Sequence, residues 1–238
     1  MAVCSLWHCP AGRPDWNLSS TPPCGVPTFL DGRSRRGHPA ASPCSLLYGR
    51  PHGGQRLGHG VQAPPPGVRF EETRDYVEIL RGMWDAGTAP FKYGGKHYSV
   101  KDVINVPPPG RRIPLGIGGG GDRMLDLTAR AADEWNCPGA LLGMYDERRA
   151  YLEKRLEKHG RDVRRTCQIV FAAGEEEPPA ALAMFNPGLG LFGSADRMAE
   201  RAAELKDAGV SGLFGIVLGR RGLDAMAEAL PAVRAAVE

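Results

Sequence analysis

The second half of the chain alternates regularly between strand-like and helix-like segments, and this alternation restricts the possible folds more than any other feature. Four strand-like runs centre on Leu115, Trp135, Val170 and Ile216, and a segment with helical character follows each of them. Strict alternation of this kind is typical of a parallel sheet with helices packed outside it. A doubly wound sheet and part of a barrel both satisfy the pattern. The sequence therefore predicts an α/β fold with about four strand–helix units.

Two further segments precede the alternation. The run FEETRDYVEILRGMW has Phe70, Val77, Leu80 and Trp84 at helical spacing, which predicts an amphipathic helix. The run FKYGGKHYSVKDVINV has two β-rich pieces around a Gly-Gly pair, which predicts a hairpin or an extended excursion. Its histidine, His97, is expected on the surface of that hairpin rather than as a ligand.

The first 69 residues differ in composition from the rest. They contain no Lys, Glu or Ile, but eleven Pro, ten Gly and four of the six His. No periodicity there predicts a strand or a helix. Residues 1–63 are therefore expected to be an irregular leader in front of a folded part at 64–238. This leader is either disordered or a GC-rich coding region translated in a wrong frame. The second interpretation is favoured, because disordered tails are usually rich in Glu and Lys.

Charge, hydropathy and cysteine spacing exclude several classes of function. The first 69 residues carry seven Arg against two Asp, whereas the remaining residues carry 23 basic and 25 acidic side chains. The folded part therefore lacks the basic surface that nucleic-acid binding needs. No apolar run reaches the ~20 residues that span a membrane, and the first residues do not resemble a secretory signal, so a cytoplasmic protein is expected. The six cysteines lack paired Cys-x-x-Cys spacing, which argues against a metal site.

Four consecutive glycines lie between the first strand of the alternation and its helix. In parallel α/β folds, ligands bind at the carboxyl ends of strands, where the first amides of the next helix and its positive dipole end point outward. A backbone without side chains allows a phosphate to approach these groups. We therefore predict a phosphate site on this glycine loop, formed by Gly118, Gly119, Gly120 and Gly121, with Arg123 as a further candidate ligand.

The same glycines fit a second interpretation. Gly116, Gly118 and Gly121 form a G-x-G-x-x-G pattern, which is the dinucleotide-binding fingerprint of Rossmann folds. That fingerprint also requires an acidic residue at the end of the next strand, whereas Asp133 and Glu134 precede this strand. A Rossmann protein that binds NAD(P) is therefore the weaker of the two interpretations, and it remains open at this point.

Three segments together resemble one known family in their order and spacing. PPPGVRFEETRDYVEILRGMW, IPLGIGGGGDRMLDLTARAADEWN and FGSADRMAERAAELKDAGVSGLF are similar to the luciferase-like monooxygenases, and more narrowly to their branch of deazaflavin-dependent oxidoreductases. The resemblance runs from about Pro64 to Glu238. It implies a (β/α)8 TIM barrel of the bacterial-luciferase type, incomplete here because about four strand–helix units are recognisable.

The resemblance also implies an enzymatic function. It implies an oxidoreductase or monooxygenase that uses coenzyme F420, a deazaflavin, or alternatively flavin mononucleotide (FMN), with the cofactor phosphate on the glycine loop and a small organic molecule as substrate. The catalytic residues stay unknown, because the family's first four strands precede the PPPGVRF segment and nothing in the leader resembles them. Four parallel strands cannot close a barrel, so open sheet edges predict a homo-oligomer or an aggregation-prone chain. A non-catalytic barrel remnant or interaction module is a further alternative.

Overall fold

The computed structural model describes residues 65–173, 190–217 and 219–237, together with the backbone of three short strands nearer the N-terminus. Of residues 219–221 it describes the backbone alone. The chain divides into two compact units. The first comprises Met1–Ala41, Trp135–Tyr151 and Arg164–Glu238, and the second comprises Ser42–Glu134 and Leu152–Val163.

The order of elements confirms the predicted alternation of strands and helices. In chain order the elements are β1 (Ala2–Trp7), β2 (Asn17–Ser19), β3 (Leu46–Tyr48), α1 (Pro66–Asp85), β4 (Phe91–Gly94), β5 (Ser99–Val103), β6 (Leu115–Gly118), α2 (Asp122–Ala131), β7 (Glu134–Cys137), a 3-10 helix (Gly139–Met144), α3 (Tyr145–His159), β8 (Arg164–Ala173), β9 (Leu191–Gly193), α4 (Ala195–Asp207), β10 (Gly212–Val217) and α5 (Gly219–Val237). The four predicted strands are β6, β7, β8 and β10. A helix follows each of them, after the short strand β9 in the case of β8.

The core of the second unit lies between helix α1 and the pair β6–α2. Val77 and Leu80 of α1 are buried against Leu115 and Ile117 of β6 and Leu127 of α2. This is the apolar face that the helical spacing in α1 predicts. Strand β6 runs parallel to β3 at its edge. The packing fixes the start of α2, and with it the glycine loop, relative to α1.

The predicted hairpin is confirmed as an antiparallel pair, β4 and β5, which forms a sheet of its own. Asp75 of α1 fixes it, because this fully buried carboxylate accepts the backbone N–H of His97 at 2.8 Å and the hydroxyl of Tyr93 at 3.0 Å. The turn lies so close to the helix that a Cβ on Gly95 would overlap the Asp75 carboxylate. A buried acid thus anchors the hairpin to α1.

The parallel strands of the first unit carry its core. Strand β10 pairs with β8, and β9 pairs with the end of β8, both in parallel. Val170, Ala172 and Ile216 form a buried cluster on these strands, with Phe192 packed against it. Two of the three buried members, Val170 and Ile216, are β-branched, as is common in strands that are covered on both faces.

Both ends of helix α4 carry local start and stop signals. The Ser194 hydroxyl accepts the backbone N–H of Arg197 at 3.3 Å, which is the hydrogen bond of an N-cap residue. Gly209 follows the helix with a φ of +86°, a conformation that glycine adopts readily. Gly160 follows α3 in the same way, with a φ of +60°.

Three strands in the N-terminal region correct one expectation. The sequence predicted no strand there, but β1 pairs antiparallel with β10 and β3 pairs parallel with β6. The first and last parallel strands are therefore not open edges, because each has a neighbour. Strand pairing of this kind depends on a distant partner rather than on a local pattern. The rest of 1–63 lies outside the described residues, so its interpretation as a disordered or frameshifted leader stays a prediction.

Candidate functional site

The glycine loop joins β6 to α2 at the carboxyl end of the strand. Gly118 is the last residue of β6, and Gly121 is the N-cap residue of α2. Gly118 and Gly119 are half-buried, Gly120 is buried and Gly121 is exposed. The four glycines thus form one strand-to-helix turn, at the edge of the sheet where parallel α/β folds bind ligands.

Gly119 is required by the backbone itself. Its φ of +134° lies in a region that residues with a side chain rarely adopt. A Cβ at this position would also lie 2.9 Å from Cγ of Met124. The conformation of the loop explains this glycine without any ligand, so Gly119 is not by itself a sign of a binding site.

Gly121 has no such structural requirement. Its φ of −72° and ψ of 146° suit any residue, and no atom lies within 4 Å of a Cβ built there. Helix α2 has no side-chain cap at this position, whereas the Ser194 hydroxyl caps α4. Gly121 therefore leaves the start of α2 open to an approaching group, at the positive end of the helix dipole.

Arg123 lies in the first turn of α2, exposed, with its guanidinium carbon 4.1 Å from the centre of the Phe70 ring. A cation in the first turn of a helix is unfavourable because the dipole is positive there. The ring of Phe70 offers a cation–π contact that offsets part of this cost. Asp122, in the same turn, carries the charge that the dipole favours.

These residues fit a phosphate group. The open N-cap gives it room, the dipole attracts its charge, and Arg123 is a cation in the same turn. The carboxylate of Asp122 reduces the net attraction, since it lies in the same turn with the opposite charge. The balance still favours an anion, because Arg123 offsets Asp122 and the dipole remains.

Asp133 lies two residues after helix α2 and binds the first residue of strand β6. Its Oδ2 accepts a hydrogen bond from the backbone N–H of Leu115 at 2.8 Å and another from the Arg81 guanidinium. Its Oδ1 accepts a hydrogen bond from the Arg112 guanidinium at 2.5 Å. Burial would raise the pKa of Asp133, but the hydrogen bonds from Leu115 and Arg81 hold it below its ordinary value. This carboxylate is thus engaged in a structural ion pair, which removes it as the acidic residue of a dinucleotide site.

An aromatic pair and two thiols form a separate buried cluster in the first unit. Trp135 is fully buried and stacks on Tyr145, with ring centres 5.6 Å apart and planes at 13°. A hydrogen bond with Cys137, together with burial, raises the pKa of the Cys167 thiol well above its ordinary value. A thiol in this state is neutral and unreactive. The cluster is therefore part of the core and not a nucleophilic site.

His97 lies on the hairpin, exposed, as the sequence predicts. Its Nε2 lies 2.8 Å from Oε2 of Glu71, and Nζ of Lys96 lies 2.8 Å from the same oxygen. These two hydrogen bonds lower the pKa of Glu71 to about 2. No three side chains of His, Cys, Asp or Glu come together as a metal site within 65–173, 190–217 and 222–237.

The glycine loop was predicted from the sequence, whereas the contact of Phe70 and the partners of two carboxylates were not. Phe70 was expected to lie on the apolar face of a helix, and nothing local indicated that its ring meets Arg123. Asp75 is fully buried and Asp133 is half-buried, and the sequence around each of them does not indicate the donors that surround it. Within the described part of the chain, no helix is long and apolar enough to cross a membrane.

Comparison with known sequences identifies relatives of the chain. The profile of the luciferase-like monooxygenases matches residues 52–209. The pyrimidine monooxygenase RutA of Acinetobacter baylyi is 29% identical over 119 residues, which are 47% of this chain and 31% of that protein. The RutA of Variovorax paradoxus is 28% identical over 117 residues, 48% of this chain and 31% of the relative. The chain thus spans about a third of the length of the curated relatives it matches.

Comparison with solved structures confirms the fold. An F420-dependent secondary alcohol dehydrogenase superposes with a TM-score of 0.55 at 16% identity, over 74% of this chain and 65% of that one. The EDTA monooxygenase EmoA from Chelativorans sp. BNC1 superposes with a TM-score of 0.55 at 16% identity, over 74% of this chain and 62% of that one. The predicted α/β class with a parallel sheet is confirmed, and the chain has the arrangement of the luciferase-like barrels over part of the barrel.

Proposed function

Because the chain belongs to the luciferase-like monooxygenase family, we propose that it holds a flavin-type cofactor by the phosphate at the glycine loop and acts as an oxidoreductase on a small organic molecule. One observation carries the proposal. The N-cap residue of α2 is a glycine that its own backbone conformation does not require, and the space beside it is open. A helix start with a glycine at its N-cap, at the carboxyl end of a parallel strand, is a favourable phosphate site.

The residues of the loop have distinct roles in this proposal. The first-turn backbone of α2 faces the phosphate, and the missing side chain of Gly121 lets it approach. Arg123 contributes a positive charge and two N–H groups that can donate hydrogen bonds to a phosphate. Gly119 gives the loop its shape. When bound, the cofactor would supply hydride transfer or oxygen-dependent oxidation, as in its family.

Coenzyme F420 is the cofactor that we favour, with FMN as the alternative. The resemblance of the three sequence segments to the deazaflavin-dependent branch supports F420. Both molecules offer a phosphate to the loop, so the loop alone does not choose between them. Relatives named as pyrimidine and EDTA monooxygenases, together with an F420-dependent alcohol dehydrogenase, support a small organic substrate.

Cofactor titration of the purified chain tests the proposal. F420 and FMN are titrated separately, with binding followed by cofactor fluorescence, against the parent chain and the variant Gly121→Val. We expect the parent to bind one cofactor and Gly121→Val to lose at least about tenfold in affinity, because a branched side chain would occupy the phosphate position. The matched control is Gly110→Val, since Gly110 also has no atom within 4 Å of a built Cβ.

Two outcomes would contradict the proposal. Equal affinities for Gly121→Val and Gly110→Val would exclude the glycine loop as the phosphate site. A folded parent chain that binds neither cofactor would instead favour a non-catalytic module. Circular dichroism of all three proteins establishes that they are folded before either conclusion is drawn.

A further inference from the structure

Phe70 and Arg123 meet although they are far apart in the chain. Phe70 lies in α1 and Arg123 in α2, and the guanidinium carbon is 4.1 Å from the ring centre. Phe70 is half-buried and packs against the core cluster of Val77, Leu80 and Leu115. The ring therefore packs against the core and also contacts an exposed arginine.

We propose that Phe70 is a positioning residue for the phosphate site, because its ring holds the guanidinium of Arg123, a residue in the first turn of α2. This inference rests on the proposed function. An exposed arginine samples many rotamers, and ordering it on binding weakens affinity. A ring that already holds the side chain lowers this cost. Stacking occupies one face of the guanidinium and leaves its in-plane N–H groups available to a phosphate.

The chain contains a natural comparison for this contact. At the start of α4, Arg197 lies 4.2 Å from the centre of the Phe192 ring. That helix start is already capped by the Ser194 hydroxyl. The two cation–π contacts are alike in distance, but only the one at α2 lies beside a helix start without a side-chain cap. Phe192 is therefore a matched control for Phe70.

A double-mutant cycle tests the inference. Affinity for FMN, for F420 and for inorganic phosphate is measured by calorimetry in the parent, Phe70→Leu, Arg123→Ala and the double variant. We expect Phe70→Leu to weaken phosphate-ligand binding about two- to fivefold, the size expected for an exposed cation–π contact. In the Arg123→Ala background the same change is expected to have no further effect. Phe192→Leu is expected to leave affinity unchanged.

A ring-preserving variant separates positioning from packing. Phe70→Trp keeps a ring with a stronger attraction for cations, and we expect its affinity to match or exceed that of the parent. This comparison also serves if Phe70→Leu does not fold.

Three results would overturn the inference. Phe70→Leu could weaken binding equally with and without Arg123, which would make Phe70 a packing residue. Phe70→Trp could weaken binding as much as the loss of Arg123. Phe70→Leu could also bind with the affinity of the parent while Gly121→Val binds more weakly. This result would overturn the inference about Phe70 and leave the proposed function standing. A parent chain that binds none of the three ligands would overturn both.

Discussion

The hydroxyl of Tyr93 donates a 3.0 Å hydrogen bond to Oδ1 of Asp75, and this bond joins the hairpin to helix α1 through a carboxylate with no exposed surface. The backbone N–H groups of His97 and Tyr98 donate to the other oxygen of the same carboxylate, at 2.8 and 3.3 Å. A buried charge is tolerated only where donors surround it. The hairpin and the buried acid therefore depend on each other.

Removal of this acid is expected to destabilise the second unit strongly. Asp75→Ala leaves the buried donors from Tyr93, His97 and Tyr98 without their acceptor, so we expect the free energy of unfolding to fall by about 3 kcal/mol. Urea denaturation followed by tryptophan fluorescence measures this. Glu78→Gln, which alters an exposed ion pair between the same helix and Arg130 of α2, is the control and should change stability much less. Similar losses in the two variants would show that Asp75 does not anchor the hairpin.

Acid should weaken the fold through the same carboxylate. Burial would raise the pKa of Asp75, but the hydrogen bonds from His97, Tyr98 and Tyr93 hold the pKa below its ordinary value. A group whose pKa is lower in the folded state adds stability above its unfolded pKa of about 3.9, and this contribution is lost as the pH falls through the folded pKa. We expect the unfolding free energy to drop below about pH 4, and to drop less steeply in Asp75→Asn. Parallel pH profiles for parent and variant would contradict this assignment.

Serine at two positions of the glycine loop should have opposite effects on stability. Gly119→Ser forces a side chain into a φ of +134° and should cost about 1–3 kcal/mol. Gly121→Ser suits the φ of −72° and adds a side-chain cap to α2, so it should stabilise the chain by a few tenths of a kcal/mol. Thermal unfolding without ligand measures both effects. We also expect Gly121→Ser to weaken phosphate binding, because its hydroxyl competes for the same amides. Equal destabilisation by the two changes would mean that Gly121 is structural too.

In the first unit, a neighbouring ring leaves no room for a side chain at Gly215. A Cβ on Gly215 of β10 would overlap the ring of Phe171 on the adjacent strand β8. Gly215→Ala should therefore cost about 1–3 kcal/mol through overpacking. Adding Phe171→Leu removes the obstructing ring, so the double variant should lose less than the two single changes together. Additive losses in a double-mutant cycle would show that the two residues do not compete for this space.

Local signals in the sequence predicted the order of strands and helices. They did not predict contacts between residues that are distant in the chain. Ser194 and Gly209 mark the ends of α4 within the sequence itself, because capping and positive φ are properties of neighbouring residues. Leu115 and Arg81, which donate to Asp133, and Tyr93, which donates to Asp75, each lie 18 or more residues from their acceptor, so no local pattern indicates these contacts. The glycine loop was predicted as a site, but the sequence could not separate its structural glycine from its open one.

Because Gly119 is required by the fold and Gly121 is not, we expect selection for folding and selection for ligand binding to act differently on these two positions. A random library selected for folding alone should retain Gly119, because the backbone rejects other residues there, and should lose Gly121 quickly. A library selected for cofactor binding should retain both. In natural lineages the same asymmetry would let Gly121 drift first wherever the ligand is no longer used. The identity of this one residue would then report whether a lineage still experiences selection for the ligand, independently of whether its fold survives.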